Sequence, residues 1–120
     1  MRQTEANIQK AILEWGKYQD GVQMFRMNVI GTPIPGRPGS YRPAPNKGMA
    51  DIYCQLLVSG IPVGVWLEVK TLKGRQTLIQ QLFEEAVGNY YLVRSIDDAA
   101  AALDDARKKT IERLNEYLPF

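Results

Sequence analysis

Two short segments in the middle of the chain alternate apolar and other residues with the period of a β-strand. The apolar positions of the first segment are Ile52, Cys54, Leu56 and Val58, and those of the second are Val63, Val65, Leu67 and Val69. Both apolar faces must look into one core, because a register slip of one residue would expose both of them. The pattern therefore predicts two paired antiparallel strands.

A turn centred on Ser59-Gly60 fixes the register of this hairpin. It pairs Ile52 with Leu67 and Cys54 with Val65, and it places Asp51 directly across from Glu68. Asp51, Glu68 and Lys70 then share the side of the sheet that faces away from the apolar core. Residues that face each other across two strands have Cβ atoms about 4.5–5.5 Å apart. The alternation therefore brings two acids and one lysine together.

The elements before the hairpin follow from capping residues and periodicity. Thr4 is a plausible N-cap for a helix that runs to about Gln19. Residues 24–30 alternate, which predicts a half-buried strand with Phe25, Met27 and Val29 on its apolar face. Residues 31–47 contain five prolines and three glycines, so we expect a long loop without a strand ladder or helix.

The elements after the hairpin begin with two capping-box patterns. Thr77 and Gln80 match the first pattern, at the start of a helix that continues to about Val87. Residues 90–94 form a short apolar segment typical of a strand. Residues 95–98 match the second pattern and open a long helix to about Leu118.

Composition bounds the class of protein. A chain of 120 residues with 45% hydrophobic and 23% charged residues predicts one domain spanning 1–120. The single cysteine, Cys54, has no intramolecular disulfide partner and suits a reducing compartment. The N-terminus lacks an apolar signal region, and no run reaches the roughly 18 apolar residues of a membrane span. We therefore expect a soluble, cytoplasmic protein that is not exported.

Histidine is absent, which excludes every mechanism that requires an imidazole as base or metal ligand. Two adjacent carboxylates repel each other unless a proton or a cation lies between them. Oxygen ligands suit Mg²⁺ or Mn²⁺. The pair Asp51 and Glu68 therefore predicts a divalent metal site, although an ordinary exposed hairpin with a lysine–carboxylate pair would give the same sequence pattern.

The net charge of +2 is too small to indicate a polyanionic partner, but the cations are unevenly distributed. Residues 26–47 contain no acid, and a basic turn, Lys73-Gly74-Arg75, follows the hairpin. We expect the cations of these two segments to contact nucleic acid. They are Arg26, Arg37, Arg42, Lys47, Lys73 and Arg75. Tyr41 adds a stacking ring to the predicted loop, although a solvated linker would also explain its composition.

The ordered motif resembles the PD-(D/E)xK nuclease superfamily, and within it the virus-type replication-repair nuclease (VRR-NUC) family. The residues that carry the resemblance are Glu5, Gly48-Met49-Ala50-Asp51, Glu68-Val69-Lys70, Lys73-Gly74-Arg75, Gln80 and Tyr91-Leu92-Val93-Arg94-Ser95. It covers the chain to about Ala102. Ala50 is a departure, because the family usually has proline before the acid. The resemblance implies an α/β (α+β) fold with a restriction-endonuclease-like core of order α-β-β-β-α-β, a C-terminal helix and a mixed central sheet flanked by helices.

The resemblance also implies roles for individual residues. Asp51 and Glu68 would bind Mg²⁺ or Mn²⁺ with the backbone carbonyl of Val69. Lys70 would orient the attacking water, and Gln80 would hold Lys70 or that water. Glu5 would support the metal or its waters. Gln80 and Glu5 also have simpler explanations, as a capping-box residue and as an acid at a helix N-terminus.

The function implied is a metal-dependent DNA endonuclease that leaves 5′-phosphate ends, is selective for branched DNA and acts as a homodimer similar to Holliday-junction resolvases. A flap-directed or nonspecific monomeric nuclease is one alternative, and a catalytically silent nucleic-acid-binding module is another. The compact format suggests a bacterial or phage source.

Overall fold

The computed structural model describes residues 3–27, 32–42 and 48–117, which form three helices and six strands. The helices are α1 (Glu5–Gly16), α2 (Leu78–Val87) and α3 (Ile96–Tyr117). The strands are β1 (Val22–Arg26), β2 (Thr32–Pro33), β3 (Tyr41–Arg42), β4 (Ile52–Val58), β5 (Ile61–Val69) and β6 (Tyr90–Val93). The fold is therefore α+β, as the sequence predicts at this level.

A mixed four-stranded sheet has the order β1-β4-β5-β6. β4 runs antiparallel to both β1 and β5, whereas β6 is parallel to β5 and is reached through α2. The predicted hairpin register is confirmed, since Ile52 pairs with Leu67 and Cys54 pairs with Val65. Ser59 and Gly60 form the turn, both with positive φ, which suits the right-handed twist of the strands. The sheet therefore continues beyond the hairpin on both sides.

The hydrophobic core lies on one face of the sheet, under α1 and α3. It contains the apolar positions predicted for β4 and most of those predicted for β5, together with Ile8 and Ile12 of α1 and four residues of α3. The residues from α3 are Ala99, Ala102, Leu103 and Ala106. Cys54 is fully buried and free in this core, as its position on the apolar face predicts.

The opposite face of the sheet is covered only in part, by α2. Phe83 of α2 packs edge-on against Trp66 of β5, with ring centroids 5.1 Å apart, and it also contacts Tyr90 of β6. Thr77 caps α2 through the reciprocal capping box with Gln80, as predicted. This second face carries the side chains that were expected to do chemistry.

The prediction of a strand at residues 24–30 is wrong about where the strand begins and about which of its faces packs against the core. β1 begins at Val22, and Val22 and Met24 pack against the core while Phe25 faces away from it. The reason lies in Gly16 of α1, where a Cβ atom would lie 2.5 Å from the Met24 sulfur. Because glycine leaves that space, the Met24 thioether fills it. Residues 28–30 of the prediction lie outside the described residues.

Two other predictions need correction. α1 ends at Gly16 and not near Gln19. The segment expected to be a loop contains a small antiparallel ladder, in which Thr32 pairs with Arg42 and Pro33 pairs with Tyr41. Proline is tolerated there because the ladder has only two strands, each with an open edge.

Among the described residues, none of the three helices combines the length and apolar character needed to cross a membrane.

Candidate active site

The candidate active site lies where β4 and β5 separate. The ladder between them has its last pair at Ile52 and Leu67. One residue beyond it, the Asp51 carboxylate takes the place of a strand partner, because its Oδ2 accepts a hydrogen bond of 2.8 Å from the Val69 N–H. The Asp51 carbonyl in turn accepts from the Met27 N–H at 2.8 Å. Asp51 is therefore fixed through its side chain to β5 and through its backbone to the chain after β1.

Glu68 is the most unusual residue of the site. It is only 1% exposed, although its charged form is costly to bury. Its Oε1 accepts a hydrogen bond of 2.6 Å from the Gln80 side-chain amide. Its Oε2 is buried and has no hydrogen-bond partner among the described residues. An exposed hairpin pair, the simpler explanation of the sequence pattern, does not describe this carboxyl group.

The electrostatics of the two acids follow from their burial and proximity. Burial, together with the neighbouring Asp51 charge, raises the pKa of Glu68 to about 8, while Lys70 acts in the opposite sense. Burial also raises the pKa of Asp51, partly offset by the hydrogen bond from the Val69 N–H. Near neutral pH the site therefore favours a proton on Glu68 or a cation beside it.

Lys70 lies between two carboxylates. Its Nζ is 3.8 Å from Oε1 of Glu68 and 3.7 Å from Oε1 of Glu5. The lysine is 9% exposed, whereas the Glu5 side chain is about half exposed. Glu5 is the first residue of α1 and follows the Thr4 cap. The structure thus brings Glu5 to the site, as an ion-pair partner of Lys70.

Gln80 combines the two roles that the sequence left as alternatives. Its Oε1 accepts a hydrogen bond of 2.9 Å from the Thr77 N–H, which completes the capping box. Its Nε2 donates to Glu68 at the same time. Because one amide has both an acceptor and a donor, the start of α2 and the buried acid are held by a single side chain.

Gly48 sets how closely the segment before Asp51 approaches α2. Its φ is +85°, and a Cβ atom there would lie 2.7 Å from the Ile79 carbonyl oxygen. Only glycine fits this contact without a shift of the backbone. Gly48 therefore allows the first turn of α2, which carries Gln80, to lie close to the segment before Asp51.

The carboxylates of Asp51 and Glu68 are the oxygen donors that the structure brings together for a cation. Participation of the Val69 backbone carbonyl stays a prediction. Within residues 3–27, 32–42 and 48–117, no group of three or more acidic or cysteine side chains is arranged to hold a metal ion. The unpartnered buried Oε2 of Glu68 fits a divalent cation, as does the chemistry of the donors. Metal support by Glu5 stays a prediction.

The structure describes five of the six cations that were predicted to contact nucleic acid, one of them by its backbone alone. Arg26 is exposed and lines a groove of about 920 Å³ between α1 and β1. Lys73 and Arg75 are exposed on the turn after Lys70. Arg37 is exposed on the β2–β3 hairpin, and no described hydrogen bond or ion pair ties it to the carboxylates. The backbone of Arg42 lies in β3, and Lys47 lies outside the described residues.

Arg94 has a structural role that sequence reasoning did not assign. Its guanidinium donates to the carbonyls of Thr71 and Gly74, with 2.9 Å to the latter, and so holds the basic turn. The backbone N–H of Arg94 donates to the Asp98 carboxylate at the start of α3. The motif around residues 91–95 contained this arginine, but its partners are backbone carbonyls of a distant turn, which leave no signature in a sequence.

We predict that Glu68→Gln stabilises the metal-free protein at alkaline pH. The folded-state pKa of Glu68 lies above its ordinary value of 4.5, so the folded protein binds more protons than the unfolded chain between about pH 4.5 and 8. Stability must therefore fall as the pH rises through that window. The variant lacks this loss, and its free energy of unfolding at pH 9 should exceed that of the wild type by on the order of 2 kcal/mol.

Urea unfolding in EDTA at pH 5 and pH 9 measures this difference. Glu84→Gln, a change of an exposed acid on α2, serves as the control and should leave the pH dependence unchanged. A Glu68→Gln protein that is less stable than the wild type at pH 9 would contradict the buried-charge account.

A second prediction separates the two roles of Gln80. Gln80→Ala removes the cap and the bond to Glu68, and should lower the free energy of unfolding by about 1 kcal/mol at pH 5 and by more at pH 9, where the lost donor served a charged carboxylate. Gln80→Glu keeps the capping acceptor but places a second carboxyl 2.6 Å from Glu68. It should match the wild type at pH 5, where a proton is shared, and be markedly less stable at pH 9. Equal stability of Gln80→Glu at both pH values would show that the contact with Glu68 is not made.

Comparisons of the chain with protein-family models, with curated proteins and with solved structures find no match.

Proposed function

We propose that this protein is a divalent-metal-dependent nuclease that hydrolyses phosphodiester bonds in DNA. The observation that carries the proposal is the buried Glu68 carboxyl, which lies beside Asp51 and Lys70 with one oxygen unpartnered among the described residues. Such an arrangement destabilises the protein by itself, because two acids and a lysine are removed from water. A cation between the acids would offset that cost, which gives the arrangement a chemical purpose.

The donor set suits the proposed cation. Asp51, Glu68 and the Val69 carbonyl would hold Mg²⁺ or Mn²⁺ through hard oxygen atoms. When bound, such a cation neutralises charge on a phosphodiester and lowers the pKa of a water. Asp51 presents its carboxylate in a fixed orientation because the Val69 N–H holds one oxygen. Gln80 orients Glu68 in the same way.

Lys70 supplies the positive charge of the protein itself. It is held near both Glu68 and Glu5, so its ammonium group is positioned before a substrate arrives. A preorganised cation stabilises the negative charge that develops on a phosphoryl group in the transition state. We assign Lys70 to this role and to orienting the attacking water. Glu5 of α1 forms an ion pair with Lys70, and this pair connects the first helix to the site.

The topology is compatible with the proposal. When the β2–β3 hairpin is treated as an insertion, the remaining elements follow the order α-β-β-β-α-β and end in a helix. Asp51 immediately precedes the second strand of that core, and Glu68 lies near the end of the third. This order and placement support a restriction-endonuclease-like core of the VRR-NUC type. A mixed sheet with helices on both faces serves many functions, so the side chains of the site carry the argument and the fold only permits it.

Branched DNA and a homodimer remain the preferred substrate and assembly. A symmetric pair of chains would place two sites on one branched molecule, which a monomer cannot do. A flap-directed or nonspecific monomeric nuclease uses the same chemistry and differs only in the substrate that it cuts. A silent binding module is disfavoured by Glu68, because binding alone does not require a buried acid.

Cleavage of labelled DNA in the presence of Mg²⁺ or Mn²⁺ tests the proposal. The substrates are a four-way junction, a flap, a single strand and a linear duplex. We expect metal-dependent cutting that EDTA abolishes. Asp51→Asn, Glu68→Gln and Lys70→Ala should each lower the rate at least ~100-fold, the scale of a lost catalytic group. Preference for the junction would favour the dimeric resolvase.

Glu85→Gln and Lys108→Ala are the controls, because both residues are exposed and no described hydrogen bond or ion pair connects either of them to the carboxylates. Circular dichroism must show that every variant is folded. Cutting that persists in the Asp51→Asn, Lys70→Ala double variant would come from another site or a contaminant. The absence of cutting by a folded wild-type protein that binds DNA would favour the silent module.

A further inference from the structure

We propose that the uncovered part of the sheet next to the carboxylates binds unpaired nucleobases. This surface, here called the aromatic platform, consists of Phe25 and Tyr53 with the neighbouring amides Gln23 and Gln55. The inference rests on the proposed function and deepens it, because it implies a substrate whose bases are unstacked beside the cleaved bond.

The two rings of the platform lie side by side on adjacent strands. Phe25 of β1 and Tyr53 of β4 are directly paired, with ring centroids 6.4 Å apart and planes inclined by only 28°. Phe25 is 48% exposed and Tyr53 is half-buried. Gly64 keeps the neighbouring position on β5 free, since a Cβ atom there would lie 2.8 Å from the Tyr53 hydroxyl. The rings therefore form an apolar surface that is partly open to solvent.

This pair is the outer end of a row of five aromatic residues across the sheet. Tyr53 contacts Trp66, which contacts Phe83 of α2, which contacts Tyr90. The inner part of the row is covered because α2 lies over β5 and β6. The outer part, Phe25 and Tyr53, has no such cover among the described residues. Packing between these two rings does not by itself require that Phe25 stay half exposed.

The polar groups next to the rings suit bases better than backbone phosphates. Gln23 and Gln55 are paired across β1 and β4, two positions farther from the carboxylates than Phe25 and Tyr53. Both line a pocket of about 310 Å³. That volume is at the lower end of the roughly 300–1,000 Å³ found for small-ligand sites. Amide side chains donate and accept hydrogen bonds, as base edges require.

Charge separates the platform from the catalytic centre. The side chains that β1, β4 and β5 present on this face beyond the carboxylates carry no formal charge. They are Gln23, Phe25, Tyr53, Gln55, Leu57, Pro62 and Trp66, with Gly64 between them. A phosphate backbone is bound by cations, whereas a base is bound by stacking and neutral hydrogen bonds. The platform therefore has the chemistry of a base site.

The position of the platform suits a DNA strand that has a phosphate at Asp51 and Glu68. Asp51 and Tyr53 are on the same face of the same chain segment, two residues and so about 7 Å apart. A nucleotide with its phosphate at Asp51 and Glu68 can reach the rings with its base only if the base is unpaired, because both faces of a paired base are stacked within a duplex. Flaps, junction centres and single strands offer such bases.

The test compares two oligonucleotides that differ only in their bases. One is a fluorescently labelled thymidine single strand of about 12 nucleotides, and the other is its abasic equivalent with the same phosphates. Binding is measured by anisotropy in EDTA with Asp51→Asn, so that no cleavage interferes. We expect the thymidine strand to bind roughly 5–150-fold more tightly, the range of base–aromatic stacking.

Phe25→Leu and Tyr53→Leu, each in the Asp51→Asn background, should remove most of this preference. Phe25→Leu is the safer variant, because Phe25 is at the exposed end of the row. Tyr18→Leu is the matched control, since Tyr18 is 81% exposed but lies in the turn after α1. It should keep the preference in full.

Three results would overturn the inference. Equal binding of both oligonucleotides would show that bases are not contacted, while metal-dependent cleavage could still hold. A preference that survives both leucine variants would place the base contact elsewhere. Binding of neither strand would reject the platform and would also count against the proposed nuclease, which the cleavage assay tests separately.

Discussion

The burial of the Glu68 carboxyl beside Asp51 is the constraint on which the rest of this structure depends. A carboxylate that is 1% exposed, with one oxygen unpartnered among the described residues, opposes folding at neutral pH. The protein responds with a pKa raised to about 8, with a short hydrogen bond from Gln80 and with a lysine at 3.8 Å. None of these entirely removes the cost of burying the carboxylate. A divalent cation bound to Glu68 and Asp51 would remove it, and the proposed function is therefore built on Glu68.

The surrounding elements can each be understood as supports for that burial. β4 and β5 separate next to Asp51, whose side chain then occupies the Val69 N–H. α2 starts with a capping box whose glutamine also holds Glu68, and Gly48 allows α2 to approach the preceding segment. α1 brings Glu5 to Lys70 from the core side. Three helices and two strands thus meet at one end of the sheet, directly or through Arg94, which fastens the basic turn to the start of α3.

Sequence alone predicted the hairpin because its alternation is strict. The register from Ile52–Leu67 onward and the capping box at Thr77 both follow from local patterns, and both are confirmed. β1 was placed with the wrong face inward because Met24 is held by a gap at Gly16, a contact between elements that no period reveals. The β2–β3 ladder was missed because its composition is typical of a loop. The burial of Glu68 depends on α2 folding over β5, which the alternation of β5 does not encode. The role of Arg94 and the exposed Phe25–Tyr53 pair likewise appear only once the strands are assembled.

Thermal unfolding with and without Mg²⁺ at pH 7.5 tests the central claim most directly, because it reports a cation at the acids whether or not a DNA substrate is known. The account predicts that saturating Mg²⁺ raises the melting temperature of the wild type by several degrees, since a ligand at about 100 times its Kd adds roughly 2.7 kcal/mol. Glu85→Gln should show the same rise, while Asp51→Asn and Glu68→Gln should show almost none. An unchanged melting temperature in the wild type, or an equal rise in all four proteins, would contradict the claim that Asp51 and Glu68 bind a divalent cation.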